Sequence, residues 1–160
     1  MATSFNELQH KHPCFGQHGA QTGRIHLPVC PGCNIACRFC ERSINTTENR
    51  PGVTGSVLKP EETIPLIKKA LEISPEITVA GIAGPGDTLA SDNAIKTFRL
   101  IGKEFPHLIK CMSTNGLLLS ERAEEIIRLG IDSLTVTVNA VDPEIEDQLN
   151  DYIIYHGKKI

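Results

Sequence analysis

Four of the six cysteines fall within eleven residues, in "CPGCNIACRFC" (30–40), while Cys14 and Cys111 stand apart. Thiols bunched this tightly, in a chain whose first residues lack a secretory pattern, read as metal ligands rather than as a disulfide framework. Cys33, Cys37 and Cys40 have the spacing C-x3-C-x2-C. Structural zinc usually takes two close pairs separated by a longer stretch, and four-cysteine electron carriers favour other spacings and fill every iron. Three thiolates on a four-iron cubane leave one iron open to an outside ligand, as the open position does in catalytic zinc sites. Cys30 complicates the count. A zinc or electron-transfer module needs it as an obligatory fourth ligand, whereas a catalytic cluster does not.

The elements that position this loop follow from the apolar pattern. "RIHLPVC" (24–30) alternates Ile25, Leu27 and Val29 as a strand does, and the cysteine loop comes directly after it. "KPEETIPLIKKALEI" (59–73) has a proline and acids at a helix start, then Ile64, Ile67, Ala70 and Leu71 at helical spacing. "EITVAGIAG" (76–84) is the β-branched, nearly all-apolar run of a parallel strand buried on both faces. A helix over 91–105, a strand over 108–113, a capped helix over 120–130, a strand over 132–140 and the start of another helix at 142–149 complete the alternation.

Four strands alternating with helices predict an α/β fold, a partial parallel (β/α) barrel of about four units. A closed barrel needs about eight strands, so the fourth strand is expected to stand as an exposed edge. In such folds the carboxyl ends of the strands open on one side, where sites are built. Every informative turn lies there. The cysteine loop follows the first strand, Ala83–Asp87 the second, Ser113–Gly116 the third, and Asn139 the fourth.

In "AGPGD" the glycines Gly84 and Gly86, with Asp87 beside them, let backbone approach a small molecule, and the peptide carbonyls can accept from an ammonium group. Ser113, Thr114 and Asn115 offer short polar groups to a carboxylate or ribose, as do Thr137 and Asn139 one strand further.

One hundred and sixty residues suffice for a single core. The net charge of −3, with acids and bases interspersed, argues against a nucleic-acid surface or a polybasic membrane anchor. No apolar run reaches the roughly 18 residues of a membrane span, and the expected location is the cytoplasm.

The loop after the first strand resembles that of the radical S-adenosylmethionine (SAM) enzymes. What the resemblance implies is a [4Fe-4S] cluster on Cys33, Cys37 and Cys40, the catalytic thiols, with the amino and carboxylate groups of SAM on the open iron. An electron from the reduced cluster then cleaves the sulfonium to a 5'-deoxyadenosyl radical, and Phe39 sits near the adenine.

Further stretches, "HPC" (12–14), "ENRPGVT" (48–54), "GIAGPGD" (81–87), "STNG" (113–116) and "TVTVNAVDPEI" (135–145), resemble in order segments of the NifB family of nitrogenase cofactor assembly. That family implies two further four-iron substrate clusters, fused around an inserted carbide into an eight-iron precursor. Its implied partners are SAM, iron–sulfur cluster donors, scaffold or carrier proteins, and an electron donor such as ferredoxin or flavodoxin. Cys14 is then the first accessory-cluster ligand, with Cys111, read as pointing toward the same rim, the second. Cys30 remains an alternative ligand, and His26 reads equally as a core histidine. Glu48 and Arg50 position a cluster or SAM, or form a surface ion pair.

Residues 1–23 are taken as an N-terminal segment carrying "HPC", and 24–160 as an incomplete radical SAM core. NifB-like chains continue with a later C-x2-C pair and more strands, so the expectation is the first part of such a domain. Two alternatives stay open at this point: another radical SAM reaction, such as peptide or cofactor modification, and the zinc or electron-transfer module.

Overall fold

The computed structural model describes residues 4–15, 22–40 and 55–160. In chain order its elements are α1 (Phe5–Lys11), β1 (Gly23–His26), β2 (Ile35–Cys37), α2 (Thr63–Ile73, entered through a 3-10 turn at Pro60–Glu62) and β3 (Ile77–Ile82). There follow α3 (Asn93–Glu104), β4 (Ile109–Thr114), α4 (Leu119–Leu129), β5 (Ser133–Val136), α5 (Pro143–Leu149), β6 (Asn150–Tyr155) and β7 (Lys158–Lys159). The motif "ENRPGVT" lies outside the described residues, and with it Glu48 and Arg50.

The main sheet has the order β1-β3-β4-β5, with every pair parallel. Parallel neighbours require a crossover, and the helices between them supply it. Ala80 and Ile82 of β3 and Met112 of β4 turn to the helices, where they pack with Ile67, Phe98 and Ile101. Val79, Ile109 and Cys111 alternate to the opposite face and meet Leu8 of α1. Burial on both faces explains the unbroken apolar run of β3.

β1 is shorter than its sequence pattern, because Pro28 has no N–H to continue the ladder. The last bond to β3 runs from Leu27 N to Gly81 O, and the chain then dives so that Val29 and Cys30 are wholly buried. β5 lies at the edge of the sheet, with all but its first residue exposed.

The residues after α5 also form regular structure. β6 and β7 form a hairpin, and β6 pairs antiparallel with β2, setting Ile35 opposite Ile153 and Cys37 opposite Asn150. Arg38 Nε reaches Asp151 Oδ1 at 2.8 Å beside that pairing. No helix among the described residues is long and apolar enough to cross a membrane.

Candidate active site

The three thiols of the C-x3-C-x2-C run open onto one cavity of about 290 Å³ at the carboxyl ends of β3, β4 and β5. Phe39 lines it beside Cys40, Gly84 and Gly86 line it from the turn after β3, and Ser113 and Asn115 from β4 and its turn. Thr137 and Asn139 line it from beyond β5, and Asp87 lines it from the turn after β3. The expected thiols and rim residues thus meet in a single hollow.

That hollow fits a four-iron cluster better than a single ion. Among the described residues no three His, Cys, Asp or Glu side chains converge tightly enough to hold one metal ion, which zinc would demand. A cubane asks each thiolate to reach a different iron around a shared space. A buried donor is also left over there: Asn34 Nδ2, next to Cys33, has no partner among the described residues, and a cluster sulfur would satisfy it.

Cys30 does not line the cavity onto which the other three thiols open. It is fully buried in the core, and burial, followed by the Asp87 charge, pushes its thiol up to about 12. The zinc and carrier alternatives need this thiol as a ligand, and its burial in the core disfavours them. Relative to a thiol at 9.0, this lowers the thiolate fraction near neutral pH about a thousand-fold. A short iodoacetamide pulse on the metal-free protein should therefore label the exposed Cys14 and Cys40 and leave Cys30 unmodified until denaturant is added. Labelling of Cys30 as fast as Cys40, read by mass spectrometry, would contradict the packing.

The turn after β3 holds the cysteine loop in place. Gly86 N donates to Cys30 O at 2.7 Å, and Asp87 N to Gly32 O at 3.0 Å. A Cβ on Gly86 would lie 1.8 Å from Gly32 O, so the close approach this glycine permits is to the cysteine loop itself rather than to a ligand. Gly84 has φ +89°, in the region glycine favours. The Asp87 carboxylate, nearly inaccessible, accepts from Leu89 N at 2.9 Å, Asn115 N at 2.7 Å and Thr114 Oγ1 at 2.9 Å. Its acceptors are spent on joining the end of β3 to the end of β4.

A second group of thiols lies apart from this cavity. Cys111 sits in mid-β4, two residues below Ser113 on the same face, buried under Leu8 of α1. It does not reach the rim toward which its sequence position was expected to point it. Burial first of all raises its pKa. Arg24 Nη1 stands 3.5 Å from Cys14 Sγ, and the Arg24 guanidinium lies directly over Gly81.

His12, the buried histidine of "HPC", accepts from Cys14 N through Nδ1 at 3.2 Å, so it shapes the turn that presents Cys14. His26 shares the Arg24 face by strand alternation. Desolvation and then the Arg24 charge lower the pKa of both imidazoles. His26 is exposed at the end of β1 rather than a core residue, and only the fold shows that Cys14 lies on its side of the strand.

Fold and site together define a class, the parallel β/α half-barrel with a three-cysteine cluster loop at its carboxyl rim. Residues 27–156 match the radical SAM superfamily, and the chain belongs to that superfamily, whose members carry a [4Fe-4S] cluster and bind SAM.

Its likeness extends to the N-terminal radical SAM region of FeMo cofactor biosynthesis proteins NifB. It is 47% identical to that of Methanocaldococcus infernus over 98% of this chain and 53% of the relative. To that of Methanocaldococcus jannaschii it is 46% identical over 99% and 53%, and to that of Azotobacter vinelandii 42% identical over 84% and 27%. The chain spans about half the length of the first two relatives. A solved structure of BtrN in complex with AdoMet and 2-DOIA superposes with a TM-score of 0.56 at 20% identity, covering 76% of this chain and 47% of that one, a likeness of fold.

Proposed function

We propose that this chain is the radical SAM portion of a FeMo cofactor biosynthesis protein, acting in the cytoplasm on two four-iron clusters that are fused around an inserted carbide. The observation that carries the reading is the convergence of Cys33, Cys37 and Cys40 with the polar rim of β3, β4 and β5 on one cavity. Support for the cofactor-assembly class comes from the NifB relatives, which match nearly the whole chain.

Cys33, Cys37 and Cys40 would hold the cluster, which when bound and reduced supplies the electron for SAM cleavage. Ser113, Thr137 and Asn139 would take the carboxylate and ribose, the carbonyls of the Gly84–Gly86 turn the ammonium, and the exposed Phe39 ring the adenine. Asp87 and Gly86 serve by fixing the rim and the loop.

In this reading residues 24–160 form the core and 1–23 deliver Cys14, which would ligate a substrate cluster. Its neighbour Arg24 offsets the negative charge such a cluster brings. The buried Cys111 is the weaker ligand on this geometry. Ferredoxin or flavodoxin would supply electrons, and scaffold or carrier proteins would exchange clusters.

The test is anaerobic reconstitution followed by paramagnetic resonance of the reduced protein with and without SAM. A signal that changes on SAM addition and more than four irons per chain are expected. Cys14→Ala should lower the iron count to about four while the SAM-dependent change persists. A signal indifferent to SAM would reject the radical SAM assignment. Four irons in the unaltered protein would instead point to another radical SAM reaction.

A further inference from the structure

Two side-chain amides flank Cys33. Asn115 Nδ2 lies 2.7 Å from Asn34 Oδ1 and 3.8 Å from Cys33 Sγ. The orientation of the Asn115 amide is fixed by a backbone donor, since Leu117 N–H donates to Asn115 Oδ1 at 3.0 Å. Its NH2 end must therefore face the cysteine loop. The residue cannot drift from the rim, because its own N–H donates to Asp87 Oδ2 at 2.7 Å. Asn34 is held as firmly: it is 6% exposed, and its backbone carbonyl accepts from Ile154 N of β6 at 2.7 Å.

An amide nitrogen carries two hydrogens. Asn34 Oδ1 takes one, and Cys33 Sγ is the acceptor within reach of the other. In the free thiol, Cys33 Sγ stands 4.0 Å from Asn34 Oδ1 and can itself donate. An iron-bound thiolate has no hydrogen, so it can only accept. Hydrogen bonds to cluster sulfurs withdraw charge and favour the reduced, more negative state, which raises the reduction potential.

We propose that Asn115 is a positioning residue for the cluster, dividing its amide hydrogens between Asn34 Oδ1 and Cys33 Sγ, and that this contact raises the reduction potential of the SAM-cleaving cluster. The inference rests on the reading that Cys33, Cys37 and Cys40 hold a four-iron cluster. Asn115 then contributes to the ease of the electron transfer that precedes chemistry, apart from any part in lining the SAM cavity.

The experiment compares the full-length chain with Asn115→Ala and Asn115→Ser after anaerobic reconstitution. Serine keeps an oxygen that can accept the Leu117 N–H, so the turn survives while the donor to sulfur is lost. The readout is a dithionite titration of the one-electron couple, followed by paramagnetic resonance, with iron content measured in parallel. Both variants should retain their iron. At a fixed applied potential the ratio of reduced to oxidised cluster should fall about ten-fold, equivalent to 59 mV for one electron.

Unchanged potentials with iron retained would overturn the proposal, and so would loss of iron in both variants, which would mark a bracing role only. If the unaltered protein itself binds no cluster through the three thiols, the underlying reading fails and the proposal with it. A normal parent cluster with unshifted variants refutes the proposal alone.

Discussion

Gly86→Ala is expected to abolish stable cluster uptake, with iron content after reconstitution falling to roughly a tenth or less of the parent value. The added methyl would sit 1.8 Å from Gly32 O, 2.4 Å from Gly32 C and 2.9 Å from Cys30 O, all of them backbone atoms that cannot rotate away. Real contacts of this kind are not seen below 3.0 Å, so the two segments must part by more than about 1 Å.

Separation on that scale breaks the hydrogen bonds from Gly86 N and Asp87 N that carry the cysteine loop, and a misplacement of about 1 Å at a site commonly costs about a hundred-fold in function. Overpacking against backbone should also cost about 3 kcal/mol of stability. A control sits in the same loop. Gly32→Ala places a methyl with nothing within 4 Å, so it should leave iron uptake and unfolding near the parent values. Equal iron content in the Gly86 variant and the parent would show that the loop is not seated by this contact.

Gly86 also shows where reading the sequence stops. Its presence in "AGPGD" after an apolar strand was legible, and so was its place on the carboxyl rim, because both follow from local periodicity and the topology of parallel strands. What it approaches was not. Its neighbour is Gly32, more than fifty positions earlier, and nothing in either stretch announces that their backbones touch.

The same limit hid the β2-β6 pairing, which joins residues more than a hundred apart through three short backbone rungs and the Arg38–Asp151 ion pair. β2 has too few residues for any pattern to register. Cys30 and Cys111 illustrate the complementary case. Spacing identifies thiols that can share a cluster, but how deeply each is buried depends on how Pro28 ends β1 and where α1 lies. Conversely the order of the helices and parallel strands from Gly23 to Leu149, β2 apart, was legible because each carries its own period, although β1 and β5 end earlier than their patterns.

Asp87→Ala is expected to lower thermal stability by about 10 °C and to weaken SAM binding at least ten-fold, although the Asp87 carboxylate is spent on protein donors. Its oxygens accept from Leu89 N, Asn115 N and Thr114 Oγ1, and each donor stranded away from water costs about 1–3 kcal/mol. Removing the carboxylate also removes the expense of burying a charge, which offsets part of that loss, so a net of about 3–4 kcal/mol is the reasonable sum. For a chain of this length such a loss converts to roughly 10 °C.

The functional effect follows from position. Released from Asp87, Asn115 and Thr114 no longer hold the rim of β4 against the cysteine loop, so the polar groups proposed to contact SAM and the amide beside Cys33 shift together. Asp87→Asn retains one carbonyl oxygen but turns an NH2 toward donors, so it should fall between the parent and the alanine variant. Calorimetric unfolding of the metal-free protein isolates the structural part, and titration of the reconstituted protein with SAM gives the rest. A variant that unfolds within about 2 °C of the parent would show that these three donors find water or other acceptors when the carboxylate is gone, and that the rim is held elsewhere.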